Sequence, residues 1–362
     1  MQTRLYSSIA MIGAAPETRG SVAAVVDAYR THGLFKRWPL HYISTSRDGT
    51  LAEKISLVAS AGRDFAALLA QHRRLVVHVH ATAGAGFWRE AAFMGTALAA
   101  GCPLIVQLHG NGFDTSIKWF LERAAVVCVP CEASRTWVRS VARKADVVLA
   151  PPPVALSVPE QPAKPNLVLF LGRLDAKKGV YDLLDAVAGL RSAVPDVRLV
   201  CAGDGDRVGV ARYAERLGIA DAVKFTGYVG ASGKRALLEH AAVFALPSYD
   251  EALPVSLIEA MSAGIPVVAS PTGGIAEVVA DGASGLLVAP GDTGGLERAL
   301  RRLLIDRELA ARLGKSARES ARARFSPERG LAIIENLYES LGVTAVEERV
   351  PGLQQVPLRK AA

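Results

Sequence analysis

The sequence predicts an α/β protein made of two doubly wound parallel sheets, and three observations carry that expectation. Short apolar runs alternate with helix-length amphipathic stretches over residues 4–149, and the alternation resumes after residue 166. The chain has 362 residues, more than one ordinary core accommodates, which favours two domains. Between the two regions, residues 150–165 hold six of the nineteen prolines and show no periodicity, as a linker does.

Taken in order, the first half places strands at residues 5–12, 40–44, 75–79, 104–108, 126–129 and 147–149, with helices at 21–31, 51–71 and 132–143. The second half places strands at 167–171, 198–202, 223–226, 243–246, 265–269 and 285–288. Helices fall there at 180–190, 275–280, 296–304, 309–324 and 327–340. The expected division is a domain over 1–150, the linker 151–165, a second domain over 166–326, a closing helix at 327–342 and a tail at 343–362.

Composition narrows the class. Half the residues are hydrophobic and only 6% aromatic, ordinary for an α/β enzyme. Four scattered cysteines make no disulfide framework and fit a reducing cytosol. Cys128-Val-Pro-Cys131 has redox spacing, but it is read as closing a strand rather than opening a helix, so these are strand-end cysteines. The apolar run after Arg4 is broken by Ser7 and Ser8 and leads into a glycine loop, as a first strand rather than a signal peptide would. Residues 91–106 are interrupted by Gly95, Thr96 and Gly101-Cys-Pro103 and fall short of a membrane span.

The net charge is +7, and residues 1–150 hold 17 lysines and arginines against 10 acids. The second part is balanced. A solvated surface explains the excess, as does a basic face, including Arg37, Arg73 and Arg74, for anionic lipid or a diphosphate-bearing acceptor. Basic and aromatic residues do not interleave as in nucleic-acid binders, and nucleic acid is not an expected partner.

The most informative stretch is residues 246–274, LPSYDEALPVSLIEAMSAGIPVVASPTGG. It reads as a strand end, a loop, a helix with Pro254 in its first turn, a stop at Gly264 and a second buried strand. Glu251 sits in the loop. Glu259 follows Val255 by four positions, so its side chain leans back over the helix start. The amides around Leu253–Ser256 form an anion site, and carboxylates beside them accept bonds from hydroxyls. That combination suits a sugar nucleotide. Upstream, Arg173 and Lys178 leave the loop GRLDAKKG just before a helix, where a fork-shaped donor and a flexible ammonium suit a diphosphate. Gly273-Gly274 opens another helix with consecutive amides for anionic or sugar oxygens.

Other motifs are weaker. The loop from Gly13 to Ser21 lacks the three-glycine dinucleotide fingerprint, which disfavours a dehydrogenase. His78 and His80 share one side of a strand end without further ligands at metal spacing, and read as polar residues at a strand terminus. Asp204-Gly-Asp206 spells Asp-x-Asp but lies in a glycine-rich loop, and no metal is expected there.

The stretch 246–274 resembles the nucleotide-sugar site of retaining glycosyltransferases with the GT-B fold, in the Glu-x7-Glu family (glycosyltransferase family 4). The resemblance spans residues 166–330 and continues more weakly over 4–149, where QLHGNGF at 107–113 looks like exopolysaccharide-type members. It implies two Rossmann-like domains facing a cleft, with glycosyl transfer from a nucleotide diphosphate sugar, retention of configuration and no metal or other cofactor. It assigns Arg173 and Lys178 to the donor phosphates, Glu251 to the donor sugar, Glu259 to the ribose, and Gly20, Leu253 and Val255 to donor contacts. His109 matches the family's active-site histidine. At Gly20-Ser21 the family usually carries a glycine pair, so only one of the two glycines is matched. The implied acceptor is a lipid-linked glycan at the inner face of a bacterial cytoplasmic membrane. The alternatives are a soluble acceptor, a GT-B isomerase or hydrolase acting without an acceptor, and a binding protein without catalysis.

Overall fold

The computed structural model describes residues 6–72, 74–155 and 163–346. Its contacts divide the chain into two units: one runs to Pro153 and resumes at Pro327, and the other is Val154–Ser326.

The first unit holds β1 (Ser8–Ala14), β2 (Leu40–Ser46), β3 (Leu75–Thr82), β4 (Leu104–His109), β5 (Val126–Val129) and β6 (Val147–Leu149). All pair in parallel, in the order β2-β1-β3-β4-β5-β6. The inner strands are covered on both faces, which is why β3 is nearly continuous in apolar residues and buried along seven of its eight positions. One face packs Phe65, Phe93 and Met94; the other packs Tyr29, Trp38 and Tyr338.

Helix Pro327–Ser340 is part of this unit, with Ile334, Leu337 and Tyr338 buried. Glu335, 1% exposed, accepts hydrogen bonds from Arg37 Nε at 2.7 Å and Trp38 Nε1 at 3.2 Å. Arg37 is therefore spent on the interior, and its side chain is only 12% exposed. Trp38→Phe removes a donor to a buried carboxylate and also shrinks a buried ring system, and is expected to cost at least about 1.5–3 kcal/mol in denaturant unfolding.

The second unit holds β7 (Leu167–Leu171), β8 (Arg198–Ala202), β9 (Val223–Gly227), β10 (Val243–Leu246), β11 (Val267–Ala269) and β12 (Leu286–Leu287). Their order, β12-β11-β10-β7-β8-β9, reverses direction between β7 and β10. Such a reversal opens a crevice at the carboxyl ends of the strands, where open parallel sheets bind ligands.

Several expectations are corrected. Pro254 is not in the helical turn; it is the extended residue before it (φ −74°, ψ 116°), and the helix is Val255–Ser262. The first strand is Ser8–Ala14 and so runs on beyond residue 12, while residue 5 of the expected strand lies outside the described residues. Cys131 does open a helix, Glu132–Val141, and donates or accepts at 3.2 Å with Ser134 Oγ. Cys128 is fully buried, its thiol pushed up to about 12 by that burial, and both are free thiols. The linker is packed where it is described: Val154 is 3% exposed and its amide donates to Phe325 O at 2.8 Å. Residues 156–162 of it, and Arg73, lie outside the described residues. The expected tail starts too early, since Val343 is buried and bridges in parallel to Tyr6; residues 347–362 lie outside the described residues. Among the described residues, no helix is long and apolar enough to cross a membrane.

Candidate functional site

In the second unit the site is built by loops that touch backbone to backbone. Gly179 adopts φ +69° at the start of helix Val180–Leu190, and a methyl group there would lie 2.0 Å from the Pro247 carbonyl oxygen. Gly273 adopts φ +50°, and a methyl group there would lie 1.6 Å from the Glu251 carbonyl oxygen. Tyr249 N donates to Lys177 O at 2.8 Å. The loops after β7, β10 and β11 are thereby pressed together at the switch point. Ser256 Oγ donates to Leu171 O at 2.9 Å, which ties the start of helix Val255–Ser262 to the end of β7.

This close approach brings Lys178 and Glu251 together: Lys178 Nζ donates to Glu251 Oε1 at 2.6 Å. Ser248 Oγ donates to the same oxygen at 2.9 Å, and Glu251 is only 8% exposed. An ammonium carries three donors, so Lys178 can hold Glu251 and still offer a proton to a phosphate oxygen. Arg173 lies on the same loop but points elsewhere: its Nε pairs with Asp175 Oδ2 at 3.0 Å and its side chain is 70% exposed. Leu253, Val255 and Ser256 are half-buried at the helix start.

Glu259 forms a separate pair, with Lys234 Nζ donating to Oε1. Its Oε2 is buried without a hydrogen-bond partner among the described residues. Burial raises the Glu259 pKa, opposed by the Lys234 charge and hydrogen bond. An unpartnered carboxylate oxygen at this position is a ready acceptor for a hydroxyl. The Gly273-Gly274 expectation is half corrected, because the Gly274 amide is already bonded to Ala252 O at 2.6 Å. Asp206 caps helix Arg207–Arg216 through the Gly209 amide, a structural use of the Asp-Gly-Asp run. Among the described residues no group of three or more His, Cys, Asp or Glu side chains is arranged so that it could hold a metal ion.

In the first unit Gly20 precedes helix Ser21–Thr31 at φ +123° with open space on its Cα. The three histidines form one assembly. His78 and His80 are fully buried rather than polar ends of a strand, and their rings stack with centroids 4.9 Å apart. His78 bonds Tyr338 OH at 2.9 Å and Gln107 Oε1 at 3.1 Å. His80 Nδ1 lies 2.8 Å from Nε2 of half-buried His109. Burial lowers His78 to about 4 and, with the neighbouring His78, lowers His109 to about 3.

Sequence reasoning missed Lys234, Ser248 and the coupling of His80 to His109. Ser248 sits three residues before Glu251 in the turn and was legible as a turn hydroxyl. Lys234 lies on helix Ala231–His240 among ordinary surface charges, and nothing local marks it.

Comparison with known proteins fits this geometry. Residues 156–320 match the family model "Glycosyl transferases group 1". Over 162 residues the chain is 35% identical to the glycogen synthase of Mycobacterium tuberculosis, covering 44% of this chain and 39% of that one. Over 199 residues it is 35% identical to the phosphatidyl-myo-inositol mannosyltransferase of Mycobacterium leprae, covering 54% of this chain and 52% of that one. The matches thus span about half the length of these relatives, or less. Among solved structures, sucrose-phosphate synthase from Thermosynechococcus elongatus superposes with a TM-score of 0.76 at 23% identity, over 92% of this chain and 99% of that one. HepE from Anabaena, solved with UDP-glucose, gives a TM-score of 0.74 at 19% identity, over 92% and 99% of the two chains. The two six-stranded parallel sheets therefore have the GT-B fold of two Rossmann-like units, and it is the second unit whose sequence is similar to the glycosyl transferases of group 1.

Proposed function

We propose that the protein is a retaining glycosyltransferase that moves a glycosyl group from a nucleotide diphosphate sugar to an acceptor hydroxyl. One observation carries the reading: a Lys178–Glu251 pair and half-buried Glu259, whose Oε2 is buried and has no hydrogen-bond partner among the described residues, flank the amino end of one helix at the switch point of the second sheet. Each part answers a part of such a donor. Lys178, Arg173 and the helix amides offset phosphate charge, which grows on the leaving group as the glycosyl bond breaks. Glu251, with Oε1 held by Lys178 and Ser248, presents its other oxygen to a sugar hydroxyl. Glu259 Oε2 accepts from the ribose. Leu253 and Val255 supply the half-buried contacts around them, and Gly20 leaves open space at its own helix start for an anionic group. His109 is proposed as the first unit's participant, tested separately by His109→Ala.

Calorimetric titration with a panel of UDP-, GDP- and ADP-sugars tests the reading. Lys178→Ala and Glu259→Ala are expected to weaken donor binding by about 1.5–3 kcal/mol each, with exposed Arg173→Ala at the lower end. Unchanged affinity in all three variants would remove the assignment. Because fixed cations of the chain supply the positive field, activity is expected to persist in excess EDTA. Complete loss restored only by magnesium or manganese would overturn that part.

For the acceptor we propose a lipid-linked glycan of bacterial surface-polysaccharide assembly, met at the inner face of the cytoplasmic membrane. Its support is the basic excess of residues 1–150. Arg37 does not contribute to such a face, being paired with Glu335, whereas exposed Arg74 can. Each basic group at an anionic leaflet adds about 1 kcal/mol, so co-sedimentation with vesicles is expected to rise with anionic lipid and fall with salt. Indifference to both favours a soluble acceptor.

A further inference from the structure

The pairing of His80 with His109 has a consequence for the proton on His109. His80 is fully buried, its ring stacked on that of His78 and tilted toward the Tyr29 ring 6.2 Å away, and a methyl group on Gly13 would lie 3.3 Å from its Cβ. Its Nδ1 faces His109 Nε2 at 2.8 Å, while its Nε2 is buried with no hydrogen-bond partner among the described residues.

A neutral imidazole carries one N–H and one lone pair. Only two arrangements make the 2.8 Å contact a hydrogen bond. If His109 donates from Nε2, His80 must carry its own proton on Nε2, leaving an N–H buried and unmatched. If His80 donates from Nδ1, the atom left unmatched is a lone pair. Buried backbone N–H groups are orphaned less often than carbonyl acceptors, and we apply the same preference for satisfying the donor to the ring.

We infer that His80 is a positioning residue: its Nδ1–H donates to His109 Nε2 and so fixes His109 as the Nδ1–H tautomer. His109 Nδ1 makes no hydrogen bond among the described residues, and the half-buried ring leaves it open. His109 then offers its ligand a hydrogen-bond donor, aimed at an oxygen such as a sugar hydroxyl or a phosphate, and has no lone pair there with which to take a proton. Both rings stay neutral near pH 7, in keeping with their lowered pKa values. Only the class of ligand rests on the function proposed above; the tautomer is a property of the free protein.

The experiment is long-range proton–nitrogen NMR on full-length protein labelled with 15N at histidine, without ligand, near pH 7.5. Assignment comes from His80→Asn, His80→Phe and His109→Asn. In the wild type His80 and His109 are both expected to show a protonated Nδ1 and an unprotonated Nε2. Asparagine carries an N–H donor close to the position of Nδ1, so His80→Asn should retain the His109 tautomer. His80→Phe should release His109 toward the Nε2–H form. A wild-type His109 protonated on Nε2, or one whose tautomer is identical in the Phe and Asn variants, would overturn the inference. Should His80→Phe fail to fold, the wild-type spectrum decides alone. Loss of sugar-nucleotide binding in other assays would leave this result untouched, so the two readings fail separately.

Discussion

Gly273→Ala is expected to destroy the donor site and to destabilise the second unit by more than about 4 kcal/mol, or to prevent its folding. The added methyl would lie 1.6 Å from the Glu251 carbonyl oxygen, a backbone atom with no rotamer to yield. Relief requires the loop after β11 to move off the loop after β10, which also breaks the Gly274 N to Ala252 O bond. Movement there shifts Glu251 away from Lys178 and Ser248. Gly282→Ala is the control, since Gly282 also has positive φ (+68°) but open space around its Cα. Left-handed strain alone should cost it about 1–2 kcal/mol. Urea unfolding and donor titration on both variants separate strain from collision. Equal and small losses in the two would mean that the close approach of the loops is not needed.

That collision explains what was legible in the sequence and what was not. The alternation of apolar runs and amphipathic stretches reveals both sheets because parallel strands buried on both faces need continuous apolar residues, as in β3 and β10. The run from Leu246 to Gly274 reveals the site because its glycines and acids lie within one strand–helix–strand unit. Lys178 was legible beside a helix start, but its pairing with Glu251 was not, because it depends on Gly179 meeting Pro247 in space. Lys234 was hidden for the same reason: its partner is on another helix, and surface lysines look alike in sequence. Cys131 misled because a strand end and a helix start share one short turn. His109 was read as an active-site histidine, while His78 and His80 looked like strand-end polar groups. Their burial depends on the terminal helix, whose Tyr338 reaches His78 from far along the chain.

Those histidines lead to a steep loss of stability in mild acid. Burial is the first cause in each case: it holds His78 down to about 4 and His109 to about 3, and lowers His80 as well. In the unfolded chain each imidazole titrates near 6.5. A group with a depressed folded pKa keeps its neutral form in the native state while the unfolded state takes up the proton. Between pH 6.5 and about 4 the unfolded chain therefore binds more protons, and stability rises with pH. The contribution is complete above 6.5 and is lost as pH falls toward the folded values. Each histidine adds a slope of about 1.4 kcal/mol per pH unit once its unfolded form is charged, so three approach about 4 kcal/mol per unit near pH 5. Glu90 and Glu259, whose pKa values burial raises, act in the opposite sense just above the ordinary carboxyl range and blunt the effect there. Urea unfolding at pH 7.5, 6.0 and 5.0 measures the slope. His109→Asn removes one titrating ring from the half-buried end and should lower the slope by about one proton's share, about 1.4 kcal/mol per pH unit. A wild-type stability that is flat from pH 7.5 to 5.0, or a slope unchanged in His109→Asn, would mean that these rings are charged in the folded protein or titrate alike in both states.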